Sequence, residues 1–163
     1  MKKICFDDRF SHTDMVKDGS KTMLRRFDAE YDKPKYAVGE TIAIAEAYRN
    51  IPALQERKGD PDLMNAGWNS KMFIRADLMP CRICITGLRS ERLRDISEED
   101  CLREGVYRLG DGYSFSDSQR RVGVKKVFAT AQEAFGEMIS QMFGYEVWRG
   151  NPVVKVYEFE RVQ

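Results

Sequence analysis

The sequence predicts an α+β domain in which a strongly curved or closed sheet of short strands carries a few helices. Residues 41–48 alternate bulky Ile42, Ile44, Glu46 and Tyr48 with small Thr41, Ala43, Ala45 and Ala47. That pattern suits a strand packed on both faces with little room on one. Residues 130–142 open with the capping box Thr130-Ala131-Gln132-Glu133 and then repeat Ala134, Phe135, Met138, Ile139 and Met142 at helical spacing. With 163 residues, 42% of them hydrophobic and 33% charged, the chain has the length of one domain, residues 1–163, and the apolar mass for one core.

The elements follow in order. Residues 3–6 read as a short strand, and Ser11 with Asp14 three residues on reads as the start of a short helix that Gly19 closes. A turn at Gly19-Ser20-Lys21 then enters an extended segment up to Phe27. After the turn Val38-Gly39-Glu40 comes the strand at 41–48, where Glu46 is either a strand-end carboxylate reaching solvent or an Arg, or a site acid. Residues 49–71 are polar and rich in breakers, with Pro52, Gly59, Pro61, Asn65 and Gly67, and read as a long loop insertion. Loops longer than about 12–15 residues are uncommon in compact domains and are often lids or binding loops. Trp68 and Lys71 are therefore candidate ligand contacts, the alternative for Trp68 being a plain anchor of the loop. A strand over 81–89, a short helix opened by Ser97-Glu98-Glu99-Asp100, a hairpin around Gly110-Asp111-Gly112 and a last strand over 152–162 complete the pattern.

Several classes are excluded by composition and motif. The 27 Lys and Arg balance 26 Asp and Glu, unlike a histone-like binder, so any nucleic-acid contact must come from local basic clusters. No apolar run approaches the roughly 18 residues of a membrane span. Lys2 and Lys3 are followed only by Ile4-Cys5-Phe6 before Asp7 and Asp8, which is no secretory signal. A cytoplasmic chain with free thiols at Cys5, Cys81, Cys84 and Cys101 is the expectation. The C-x-x-C at Cys81 and Cys84 falls within a strand, where residues three apart face opposite sides, so no metal is expected. The single His12 is either a general base or an ordinary helical residue. Walker, dinucleotide and G-x-S-x-G motifs are absent and no cofactor is implied. What remains are basic clusters beside aromatics: Lys17, Lys21, Arg25 and Arg26; Arg89, Arg92 and Arg94; Arg120, Arg121, Lys125 and Lys126. Such groups can hold phosphates and stack a base of single-stranded RNA, or can simply form a solvated surface of mixed charge.

Five stretches together resemble the ASCH domain, a branch of the PUA-like superfamily, and most of all its long phage- and prophage-type members. They are Gly19-Ser20-Lys21-Thr22-Met23-Leu24-Arg25-Arg26; Tyr36-Ala37-Val38-Gly39-Glu40; Ile83-Cys84-Ile85-Thr86-Gly87-Leu88-Arg89; the segment 91–105 from Glu91 to Gly105; and the segment 148–159 from Trp148 to Phe159. The resemblance implies a PUA-like curved antiparallel β-barrel with flanking helices and a cleft for RNA, a nucleotide or a modified nucleoside. Family enzymes that hydrolyse N(4)-acetylcytidine carry a Lys and a Thr in the turn after the first helix and a Glu in the later short helix. Lys21 matches the first and Glu104 the last, but the Thr position holds Leu24. Leucine has no nucleophile, and Thr22 sits two residues early, so a binding module without catalysis is expected. The alternative is a hydrolase acting on an acylated or modified nucleoside with Lys21 and Glu104 as its catalytic pair. A third reading is an interaction domain whose cleft holds nothing small. The expected ligand contacts are Lys21, Arg25, Arg26, Trp68, Lys71 and Arg89.

Overall fold

The computed structural model describes residues 1–27, 33–118 and 125–162. In chain order the elements are β1 (Lys3–Ile4), α1 (His12–Asp18), β2 (Met23–Arg26), β3 (Thr41–Ile44), β4 (Arg82–Arg92), α2 (Glu98–Arg103), β5 (Val106–Leu109), β6 (Gly112–Phe115), α3 (Ala131–Phe143), α4 (Tyr145–Gly150) and β7 (Val153–Arg161). Five strands form one sheet in the order β1-β3-β4-β7-β2, with every pair antiparallel except β1 with β3. The hairpin β5–β6 stands apart as a second sheet. The α+β class is as expected, and the closed barrel is corrected: no closed barrel forms among the described residues. The sheet is open, with β1 and β2 as its edges. A two-residue β1 and a four-residue β2 offer too little backbone to zip the seam.

The central pair β4–β7 runs nine matched positions with a register shift between Ile85 and Gly87. A bulge there bends the ladder and increases its twist. Burial of β3 on both faces is the source of its bulky-and-small alternation. Ile42 and Ile44 join the cluster with Ile83, Ile85 and Tyr157, whereas Ala43 and Ala45 lie under Tyr48, Leu54, Leu63 and Trp68. The strand ends at Ile44, earlier than residue 48, because the chain turns into a 3₁₀ helix at Tyr48–Asn50. The expected loop 49–71 is a train of 3₁₀ turns continuing to Ala76–Leu78. They pack on the small-residue face of β3, which is why that face is small.

The remaining helices follow their local signals. The Thr130 side chain accepts the Glu133 N–H at 3.1 Å and Ser97 accepts the Asp100 N–H at 3.1 Å, capping α3 and α2. Ser11 precedes α1 without a side-chain cap, at φ 58°. Ala134, Phe135, Met138 and Ile139 are buried against Val154 and Val156 of β7, and Met142 is half-buried. Helix α4 has no counterpart in the sequence reading: six residues between Gly144 and Pro152 are too few to display a period. Its Trp148 lies edge-on to Phe135 at 5.9 Å and covers Gly136. A Cβ at Gly136 would stand 2.5 Å from Trp148 Cε2. In an open helix Gly→Ala gains about 0.5–1 kcal/mol, while overpacking a core costs about 1–3 kcal/mol. Gly136→Ala is therefore expected to destabilise the protein by roughly 1 kcal/mol or more in urea unfolding, where a gain would show that Trp148 yields freely.

Candidate functional site

The turn after α1 is held at both ends. Gly19 closes the helix at φ 86°, the Lys21 N–H donates to Met15 O at 3.0 Å, and the Thr22 N–H donates to Arg103 O at 3.0 Å. This places Lys21, 1% exposed, against the end of α2. Its Nζ donates to the Glu104 backbone carbonyl at 2.7 Å and to Glu104 Oε2 at 2.8 Å. Arg25, on the same buried face of β2 as Met23, donates from Nη1 to Glu104 Oε1 at 2.8 Å and from Nη2 to Glu91. Outward from this centre, Arg89 Nη2 meets Asp100 Oδ2 at 2.5 Å and Arg103 Nη1 meets Glu158 Oε1 at 2.8 Å. Burial pulls the Lys21 ammonium below its ordinary range against the opposing pull of Glu104. For Arg25 burial acts downward too, but Glu104 and Glu91 outweigh it and hold the guanidinium charged. Removing one partner of a buried ion pair costs about 3–5 kcal/mol because the other charge is stranded. Glu104→Gln strands two, so a loss of about 3–5 kcal/mol is expected in denaturant unfolding.

A cavity of about 660 Å³ lies beside this network, at the open seam of the sheet. One wall is β1 with the residues that follow it, Ile4, Cys5, Phe6, Asp7 and Asp8. The other is Leu24, Arg25, Arg26 and Phe27 from β2, and His12, Lys71, Met142, Phe143 and Val147 complete it. Phe27 and Phe143 meet edge-on at 4.6 Å. The Arg26 guanidinium lies 5.8 Å from the Tyr36 ring. Lys71 Nζ sits 2.8 Å from Asp8 Oδ2 and also donates to the Phe6 carbonyl. Thr13 Oγ1 donates to Asp8 Oδ1 at 2.5 Å.

The expected site residues are therefore distributed over three places. Arg25, Arg26 and Lys71 line the cavity; Lys21 and Glu104 lie together in the network behind it, joined to it through Arg25. Arg89 sits on the outer side of that network, and Trp68 packs among Tyr48, Leu54 and Leu63, 8% exposed, rather than at the rim. Thr22 Oγ1 accepts from Arg103 Nε at 3.0 Å. Glu46 reaches Lys17 at 2.9 Å across a smaller polar hollow. Arg120 and Arg121 lie outside the described residues. Cys5 is exposed and Cys101 is buried, its thiol pushed up to about 12 by burial. Among the described residues, no group of three or more His, Cys, Asp and Glu is placed to hold a metal ion, and no helix is long and apolar enough to cross a membrane.

His12, Asp7, Asp8 and Phe143 are wall residues that no sequence signal pointed to. His12 is 3% exposed, its ring 5.9 Å from that of Phe10, and its Nε2 is buried without a partner among the described residues. Burial, and then the nearby Lys21 and Lys71 charges, hold its pKa at about 2. The unfolded chain takes up a proton near the ordinary 6.5 and the folded chain does not, so the unfolded state binds more protons between those values. Stability from His12 is whole above 6.5 and is lost as pH falls, by up to about 1.4 kcal/mol per pH unit. Urea titrations from pH 7 to 4 should show this slope, and His12→Asn should flatten it if the imidazole is its source.

No protein-family model matches the chain, and no curated protein matches it. Solved structures do. A protein from Enterococcus faecalis V583, described with family-model DUF984, aligns at TM-score 0.54 and 14% identity over 99% of this chain and 80% of its own. The ASCH domain from Lactobacillus crispatus JV V101 aligns at TM-score 0.50 and 16% identity over 99% of this chain and 77% of its own. An open five-stranded sheet with its seam left as a cavity, flanked by helices, is in this chain the fold of the ASCH domain.

Proposed function

We propose that the protein binds RNA, a nucleotide or a modified nucleoside in the seam cavity and does not break it down. The observation that carries this reading is the wall itself: Arg25, Arg26 and Lys71 supply positive charge beside the Phe27 and Phe143 rings. Cation and aromatic face together are what single-stranded nucleic acid demands, one for phosphate and one for the base. The volume falls within the roughly 300–1,000 Å³ range of small-ligand sites. Against catalysis stands the chemistry of the same wall. Leu24 presents only apolar carbons where a hydroxyl would be needed, and the Lys21 ammonium is taken up by the two oxygens of Glu104 at 2.7 and 2.8 Å. A lysine so engaged has no lone pair with which to accept a proton.

Calorimetry with nucleoside monophosphates and short single-stranded RNA tests the reading. Arg26→Ala and Lys71→Ala should each weaken binding about tenfold, the loss of one charge-assisted contact. Added salt should weaken it further, and N(4)-acetylcytidine should remain intact in the same samples. Binding indifferent to both substitutions, or turnover that requires Lys21, would overturn the proposal.

A further inference from the structure

We propose that His12 selects the uncharged end of the ligand, donating a hydrogen bond from Nδ1 to an acceptor atom of a nucleobase, so that a nucleotide enters base first with its phosphate toward Arg26 and Lys71. This rests on the nucleotide-binding reading above and adds to it the orientation of the ligand and the residue that reads it.

Three observations carry the argument. First, His12 lines the cavity yet is nearly inaccessible, and its Nε2 lacks a partner among the described residues. A buried polar group left unpaired costs about 1–3 kcal/mol, which a ligand can recover. Second, the imidazole stays neutral, because burial and the Lys21 and Lys71 charges all oppose its protonation. It therefore adds no charge for phosphate and can read only a neutral hydrogen-bonding edge. Third, the Nε2 edge is closed by backbone: a Cβ placed on Gly105 would stand 3.0 Å from Nε2 and 3.3 Å from Cδ2. A proton on Nε2 would be a buried donor with no acceptor, whereas an unused lone pair there is the smaller loss. The proton accordingly belongs on Nδ1, the nitrogen left for the cavity, and the ligand must offer an acceptor such as a base carbonyl oxygen or ring nitrogen. Exposure along the wall agrees with this orientation. Lys71 and Asp8 are progressively more open, with side chains 20% and 64% exposed, while His12 sits among apolar Ile4, Phe6 and Leu24.

The experiment compares the four nucleoside 5′-monophosphates with ribose 5-phosphate and inorganic phosphate by calorimetry, for wild type, His12→Phe and His12→Asn, and records the ¹⁵N shifts of the wild-type imidazole. Wild type should prefer at least one nucleotide over ribose 5-phosphate by about tenfold, the value of one buried hydrogen bond. His12→Phe should erase that preference while still binding the sugar phosphate. His12→Asn, whose amide nitrogen falls near Nδ1, should restore part of it. The ¹⁵N shifts should show the proton on Nδ1. A nucleotide preference that survives in His12→Phe, or a proton on Nε2, overturns this inference and leaves the binding function standing. Wild type that binds none of the probes overturns both.

Discussion

One carboxylate ties the site together. Glu104, at the end of α2, accepts from Lys21 and Arg25 at once, with both of its oxygens used. Two cations are thereby drawn out of water onto one face of β2, a placement that burial alone would forbid. Because Lys21 and Arg25 bracket β2, the shared carboxylate fixes that edge strand against α2 as well as against β7. The opposite face of β2 is left to Leu24 and Arg26. The hydrogen bonds of Thr22 to Arg103 and of Arg103 to Glu158 brace the same strand from its free end.

That bracing matters because the sheet does not close. The edge strands β1 and β2 border the same cavity, and the gap between them is where a sixth ladder would run in a barrel. An unclosed ladder leaves backbone donors and acceptors without strand partners, and proteins ordinarily cover or blunt such edges. Here side chains do so. Lys71 donates to the Phe6 carbonyl beyond β1, and Phe27 and Phe143 fold over the far end. The cavity is therefore a consequence of strand length rather than of a separate pocket-forming element.

The sequence was most legible where a signal is local. Capping boxes located α2 and α3, Gly19 located the end of α1, and alternation located β3 to within a few residues. It was least legible where the answer depends on distant partners. Nothing in the neighbourhood of residue 12 shows that a glycine at 105 will close off one edge of the imidazole. Trp68 looked like a ligand contact because its loop is polar, yet the loop's few apolar residues converge on Ala43 and Ala45 and take the indole with them. Closure was overestimated for a related reason, since β-propensity says that a strand exists and not whether two residues suffice to pair it. Lys21 and Glu104 are 83 positions apart, a pairing that family resemblance suggested and that composition, periodicity and spacing leave invisible.

The train of 3₁₀ turns between Tyr48 and Leu78 has a bearing on motion. Apart from Ala43 and Ala45, the buried residues of its cluster belong to this segment or border it, so the segment carries most of its own core. It touches the sheet through small side chains and through tethers such as Lys3 Nζ to the carbonyls of Met72 and Ile74. A unit built this way unfolds at a lower free energy than the β4–β7 ladder and exchanges its amide protons as a block of its own. Since Lys71 belongs to it, each such opening withdraws one cation from the cavity, and an anion bound there protects amides as far away as Leu54. Ligand occupancy in this protein is thus written into hydrogen-exchange rates of residues that never meet the ligand.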